Sequence, residues 1–388
     1  MAQRRRRPVR ERDLKGLKYF RVLLPLMDRL HANATTRDRA DNRNLFFDHY
    51  ACLLLLFFFN PIIQSVRGLQ QASTLGKVQK LFGCERASLG SLSEAGRVFD
   101  PAVLQPIIGE LAEQARPLLH GREAEALRGL EAVDGSLLPA LPKMAWALWQ
   151  DEFHRAAKMH VHFDVIKGIP SHVSVTAGNA SERQQLRERL RPGGFYVFDR
   201  GYVDYDLFQD IRAAGASFVG RLRNNAVYHV AEERPVSAAD RAAGVVRDVV
   251  IDKLGTDQRD NALKQPLRIV LVATGTKLAD GSPDVMLLCT NRLDLSAELV
   301  ALAYRFRWAI ELFFRWFKCV LGCRHLLSTS ANGVTIQVYL GIIASLLISL
   351  WVGKKPTLRT LEMLQFYFAG WATEEELLAH IAHLKDHI

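Results

Sequence analysis

Cysteine is scarce in this chain and scattered, with five in 388 residues, at positions 52, 84, 289, 319 and 323. An odd number without regular spacing implies no disulfide framework, and reduced thiols in a cytosolic protein are the simplest reading. Cys319, Cys323 and His325 lie close together, but no second ligand pair of matching spacing accompanies them, which argues against zinc. Long apolar runs are missing too. Ala51 to Phe59 is ended by Asn60 and Pro61, and Val338 to Val352 carries Ser345 and Ser349. Both fall short of the ~20 residues that a membrane span requires, so both are expected as buried helices and no membrane partner is expected. Arginines fill positions 4 to 7 without the apolar core of a secretion signal after them, so a cytoplasmic location is expected. No internal repeat or low-complexity block stands out.

What is present is a globular composition, 49% hydrophobic and 24% charged, long enough for two or three domains. Fifty-one Lys+Arg against 41 Asp+Glu leave a formal charge of +10. That balance favours a polyanionic partner, DNA or RNA, although a basic enzyme of another kind can show it.

Residues 1 to about 120 carry apolar positions at helical period. The opening arginine run either touches phosphates or is a solvated tail. Between Leu75 and Phe99, short helical patterns separated by Gly83 and Gly90 are compatible with a helix-turn-helix, too loosely to place a recognition helix. From about residue 126 the pattern turns to strands. Leu130 to Leu138 is an apolar run with Asp134 inside it. Met159 to Ile166 alternates, with Val161, Phe163 and Val165 on one face and His160, His162 and Asp164 on the other. That second face has the period of a metal site, but a polar sheet face explains it more simply. Ser171 to Ala177 is a third strand, Ser181 to Leu190 a charged helix, and Phe195 to Asp199 a buried strand. A helix over Asp206 to Ala214, with Asp204 and Asp206 at its start, and a strand over Ser217 to Leu222 follow. Further strands at Val245 to Ile251, Leu267 to Ala273 and Val285 to Thr290 make residues 223 to 292 β-rich, and residues 326 to 388 are helical again.

The most telling stretch is Tyr304 to Lys318, YRFRWAIELFFRWFK. As one helix at about 100° per residue, it gathers Tyr304, Arg307, Glu311 and Lys318 within an arc of roughly 60°, flanked by Trp308 and Arg315. Phe306, Ile310, Phe313 and Phe317 take the other side, as docking on a core requires. A surface helix laced by Arg307–Glu311 and Glu311–Arg315 pairs has the same residues. The spacing Y-x2-R-x3-E-x6-K resembles the motif around the last acidic residue of the DDE transposases of the insertion-sequence-4 type. AVDGS at 132–136 is similar to the segment around that family's first aspartate, and FDRGY at 198–202 to that around its second.

This resemblance implies an α/β fold, a ribonuclease-H-like catalytic core interrupted by a β-rich insertion, with an N-terminal helical domain and a C-terminal helical segment. The implied divisions are 1–125, binding DNA ends; 126–222, the first part of the core; 223–292, the insertion; 293–352, the second part with the Glu311 helix; and 353–388, the C-terminal segment. It implies Asp134, Asp199 and Glu311 as the catalytic carboxylates, holding two Mg²⁺ ions, with Mn²⁺ acceptable. Read alone, Asp134 in Asp-Gly also suits a turn, but inside an apolar run an uncompensated carboxylate is costly; Asp199 also suits a helix cap. Tyr304, Arg307 and Lys318 are implied at phosphates, Arg307 as a fork and Lys318 as a point charge, with Arg315 beside them. Trp308 either stacks on an unpaired base or joins the core. Arg221 and Arg223 match a basic pair of the family or are exposed strand charges. The implied activity is cleavage and strand transfer at insertion-sequence ends, on double-stranded terminal inverted repeats and target DNA, by a homodimer on DNA. A nuclease that only hydrolyses and a DNA-binding regulator are the rivals; the intact carboxylates give the second no support.

Overall fold

The computed structural model describes residues 20–31, 43–139, 143–148, 155–256, 262–277, 281, 283–320, 322, 325–354 and 356–384. The arginines at 4 to 7, Cys323 and the side chain of Cys319 lie outside these.

The chain begins with helices: α1 (Phe20–Asp28), α2 (Phe47–Phe59), α3 (Val66–Ala72), α4 (Gly76–Phe82), α5 (Leu89–Val98), α6 (Gln105–Gln114) and α7 (Arg122–Ala126). Strands β1 (Leu130–Pro139), β2 (Ala156–Asp164) and β3 (Ile169–Ala177) follow, then α8 (Glu182–Arg187), β4 (Phe195–Phe198), α9 (Tyr205–Ala213) and β5 (Ser217–Arg221). Next come β6 (Tyr228–Arg234), α10 (Ala238–Ala242), β7 (Val245–Gly255), β8 (Ala262–Leu263), β9 (Leu267–Lys277) and β10 (Pro283–Thr290). Helices α11 (Ala297–Phe306), α12 (Trp308–Arg315), α13 (Ala331–Val352), α14 (Leu358–Ala369) and α15 (Glu374–Ala382) close the chain.

One mixed sheet organises the molecule, in the order β3-β2-β1-β4-β5-β10-β9-β7-β6, with β8 paired to β7. β1, β2 and β3 pair antiparallel, β4 and β5 run parallel to β1, and β10 then pairs antiparallel with β5, Leu288 opposite Arg221. The strands after β5 therefore extend the same sheet. β6 escapes a hydrophobic-pattern reading because an edge strand can stay polar; its YHVAEER is mostly exposed.

Two cores lie against this sheet. Leu130 and Ala132 of β1 join one, with α2, α5, α6, α12 and α13, while Val133 joins the other, with Leu186 of α8 and Leu207 of α9. A helix apolar on every side must be surrounded, and α2 buries all but Phe57 of its residues. Helix α13 starts at Ala331, well before the apolar run at Val338, and at 22 residues is long and apolar enough to cross a membrane. It is 78% buried over its most apolar window and packs on α2, α5, α6 and β3. Its crossing with α5 is close: a Cβ on Gly96 would sit 3.3 Å from the Gly333 Cα.

His160 and His162 are buried, not on an open polar face. His162 Nδ1 lies 3.0 Å from Glu131 Oε2, and His160 Nε2 lies 2.8 Å from Thr176 Oγ1. Asp164 instead ties a turn, its Oδ1 accepting from the Ile166 and Lys167 amides at 3.0 and 2.9 Å.

The added strands are anchored by buried polar groups. Arg268 donates to both oxygens of Asp248 at 2.7 Å and to the Leu295 carbonyl, with side-chain exposures of 1% and 3% for the pair. Asp240 of α10 accepts from the Glu298 amide at 2.8 Å, capping α11, whose own Ser296 makes no side-chain cap. Losing one partner of a buried ion pair strands the other. Arg268→Ala is therefore expected to lower stability by about 3–5 kcal/mol in urea unfolding, and Arg268→Met with Asp248→Leu to recover most of that loss.

Candidate active site

Strand register sets the centre of the site. β1 and β4 pair in parallel with Ala132 opposite Val197, so the same register carries Asp134 to a place beside Asp199, just past the end of β4. Phe198 is opposite Gly220 on the far side, which brings Arg221 next in the row. Asp134 lies in a strand, not a turn, with Oδ1 accepting from the Gly135 amide at 2.8 Å. Asp199 does cap a short 3₁₀ turn over Arg200–Tyr202, its Oδ1 accepting from the Gly201 amide at 2.7 Å. That role uses one of its two oxygens.

Helix α12 carries Glu311. Buried Ile310, Phe313 and Phe314 hold the helix against β1 and β2. Glu311 Oε1 is 2.5 Å from Arg307 Nη2, and the Arg307 guanidinium lies 5.7 Å from the centre of the Tyr304 ring.

The run from Tyr304 to Lys318 is not one uniform helix. The Arg307 amide bonds back three residues to Tyr304 O at 3.1 Å and Ile310 N to Arg307 O at 3.2 Å. Such bonds tighten the turn. Trp316–Val320 then opens into a π turn, so a single 100° step does not place Lys318. Its Nζ instead donates to Leu137 O of β1 at 3.3 Å. Arg223 lies beyond the end of β5 and begins a turn, while Arg221 is half-buried on the strand with Nε lacking a partner. Trp308 is 51% exposed, which removes it from the core. Arg315 and Arg223 are exposed as well.

Two further charged groups belong here. Glu182, the first residue of α8, and Lys158 of β2 form an ion pair at 3.2 Å. Sequence reading missed Glu182 because an acid in the first turn of a helix is ordinarily a partner of the helix dipole. Burial pushes the Asp134 carboxyl up; the Gly135 amide opposes this, Glu182 and Asp199 add to it, Arg307 opposes it, and the group ends at about 7. Burial, then Glu182, Asp134 and Asp199, raise the buried Tyr202 hydroxyl in the same way. Arg307 is pushed down by burial, but Glu311, Tyr304 and Asp134 outweigh that and raise it.

Among the described residues, Arg307 pairs with Glu311 and Lys158 with Glu182, while neither Asp134 nor Asp199 has a cation at ion-pair distance. An all-oxygen donor set with uncompensated negative charge fits a hard divalent cation. Among the described residues, the one group of three or more whose ligating atoms all lie within 4.8 Å of one another is His31, Asp48 and His49 on the N-terminal helices, where His31 Nδ1 lies 2.8 Å from Asp48 Oδ2 and its ring stacks on Phe46; the carboxylates of Asp134, Asp199 and Glu311 do not converge that closely.

The family model for the transposase DDE domain matches residues 127–347, from the start of β1 into α13. The chain belongs to the DDE transposases of the insertion-sequence-4 type. A Sinorhizobium fredii protein named as transposase y4zB is 32% identical to this chain over 61% of it and 63% of its own length. The chain thus spans a little under two thirds of that relative. A Geobacillus stearothermophilus protein named as a transposase for insertion sequence element IS5377 is 22% identical over 82% of each chain. A Synechocystis protein named as a transposase for insertion sequence element IS4SA is 22% identical over 69% of this chain and 73% of its own.

The position of the Asp134 proton is measurable. Its folded pKa of about 7 lies above the ordinary 3.8, so the folded state keeps a proton that the unfolded chain releases. Stability therefore falls as pH rises from about 4 to about 7, and the penalty is complete above that window. In chelator-treated protein, Asp134→Asn is expected to raise the melting temperature at pH 8 and to do so much less at pH 5. An effect independent of pH would show that this carboxyl titrates normally.

Proposed function

We propose that this transposase cuts and rejoins DNA at the ends of an insertion sequence by metal-dependent hydrolysis and strand transfer, a cut-and-paste reaction. The observation that carries this reading is the register that sets Asp134 beside Asp199 at adjacent parallel strand ends, with the Glu311 helix docked on β1. The order β3-β2-β1-β4-β5 and its strand directions support a ribonuclease-H-like core, with β6 to β10 as the insertion. Asp134, Asp199 and Glu311 are the residues that would hold two Mg²⁺, or Mn²⁺. Such ions, when bound, activate the attacking oxygen and stabilise the leaving one.

The chain's own residues do the rest. Arg307 neutralises Glu311 in the structure; its fork would pass to an incoming phosphate and free the carboxylate. The Tyr304 ring keeps the guanidinium in place through the exchange. Lys318, drawn to the Leu137 carbonyl, sets a point charge near the end of β1. Trp308 presents its indole outward, as stacking on an unpaired base at the cut end requires. Arg315, Arg221 and Arg223 contact the backbone nearby. Net positive charge suits double-stranded terminal repeats and target DNA, held by a homodimer with the N-terminal helices on the ends.

No side chain is needed as a covalent nucleophile, because water makes the first cut and the freed 3′-hydroxyl attacks next. Asp134→Asn, Asp199→Asn and Glu311→Gln are each expected to slow Mg²⁺-dependent nicking of flanking DNA by about 100-fold or more, equivalent to about 2.7 kcal/mol, with DNA binding retained. A variant that still cuts at the parental rate removes its carboxylate from the site, and failure to join pre-cut ends reduces the enzyme to a nuclease. Lys318→Ala is expected to weaken end binding and flatten its dependence on log salt by about 0.9, one phosphate contact; an unchanged slope excludes that contact.

A further inference from the structure

The group formed by His31, Asp48 and His49 stands on elements that the carboxylate site does not use. His31 ends the turn after α1, while Asp48 and His49 lie in the first turn of α2. His31 Nδ1 is 2.8 Å from Asp48 Oδ2, and His49 Nε2 is 3.7 Å from the same oxygen. Tetrahedral zinc, with bonds of about 2.0–2.1 Å, sets neighbouring ligand atoms about 3.3 Å apart. The two separations straddle that spacing. Both rings are held in place: His31 stacks on Phe46 with centroids 4.1 Å apart, and His49 meets the His31 ring edge-on at 5.4 Å.

Unpaired buried atoms supply the independent observation. Asp48 Oδ1 and His49 Nδ1 have no hydrogen-bond partner, although these side chains are only 11% and 9% exposed. The other nitrogen of His49 faces the Asp48 carboxylate and stops beyond hydrogen-bond reach. Among the described residues, Asp48 has no lysine or arginine at ion-pair distance; its partners are the two histidines. Buried polar atoms without partners are costly, and an ion is one of the few things that offsets them. A carboxylate needed only to hold His31 would leave neither its second oxygen nor the adjacent imidazole unpaired.

Two imidazole nitrogens and one carboxylate oxygen form a borderline donor set, suited to Zn²⁺ and poorly suited to Mg²⁺, which takes oxygen ligands. His31 is 47% exposed, so water can complete the coordination sphere. We infer that His31, Asp48 and His49 bind a divalent transition metal ion, zinc by donor chemistry, which clips the end of α1 to the start of α2. The ion replaces the hydrogen bond between His31 and Asp48, and the His31 proton passes from Nδ1 to Nε2 or to solvent. This site differs in chemistry from the all-oxygen centre and does not rest on the reading of that centre.

The test is titration of the chelator-treated full chain with Zn²⁺ in excess Mg²⁺, with thermal melting alongside. The parent is expected to bind one Zn²⁺ per chain at this site and to melt at a higher temperature when loaded. His31→Ala, Asp48→Asn and His49→Gln are each expected to weaken that binding by about 100-fold, as loss of a ligand should if loss of a ligand's partner costs tenfold or more. The exposed His31 position decides the matter should a buried variant fail to fold. Asp134→Asn is expected to bind Zn²⁺ as the parent does. If His31→Ala binds like the parent, or if the parent's Zn²⁺ is lost in Asp134→Asn instead, the inference fails and the proposed function stands. Equal melting losses in metal-free His31→Ala and Asp48→Asn, with no effect of Zn²⁺ on the parent, would reduce the group to a structural hydrogen bond.

Discussion

The parallel pairing of β1 with β4 is the constraint from which the rest follows. It puts two aspartates side by side, which electrostatics alone would keep apart. The register is held because β1 serves two cores: Leu130 and Ala132 face one and Val133 the other. A slip of one residue would turn each set toward the wrong core. Hydrophobic packing thereby enforces a repulsion between acids.

The cations of the chain relieve that repulsion only in part, and the manner of relief bears on activity. Arg307 and Lys158 each attend an outer glutamate, one on each face of the sheet, while neither central aspartate has a cation at ion-pair distance and burial raises the Asp134 carboxyl. Stability and readiness are opposed here: filling the centre with a fixed internal cation would steady the fold and close the site.

Much of this was legible in the sequence where periodicity or spacing carried it. β1, β2 and β3 and the helices that bury their whole circumference announced themselves by apolar pattern, and the three acidic motifs stood in order along the chain. What escaped had physical causes. β6 lies on an edge and stays polar. The 3₁₀ step at Arg307 and the π turn at Trp316 leave no mark in residue type, so a uniform helical wheel misplaced Lys318. His160 and His162 looked like an open face because their covering helix, α8, comes from further along the chain. Glu182 was hidden by its ordinary setting in the first turn of a helix. Asp-Gly suited a turn by residue type, whereas Asp134 and Gly135 lie inside β1.

One feature of the added strands bears on how this chain can change. The first turn of α11 borrows its cap from Asp240, which lies in a different element, α10. The helix leading to Arg307 and Glu311 therefore begins correctly only when the segment containing α10 is folded in place. Modules joined by such a loan are inherited together: a graft that exchanged the intervening strands for a foreign set would have to bring its own acceptor for the Glu298 amide, or the helix that leads to Arg307 would fray at its first turn.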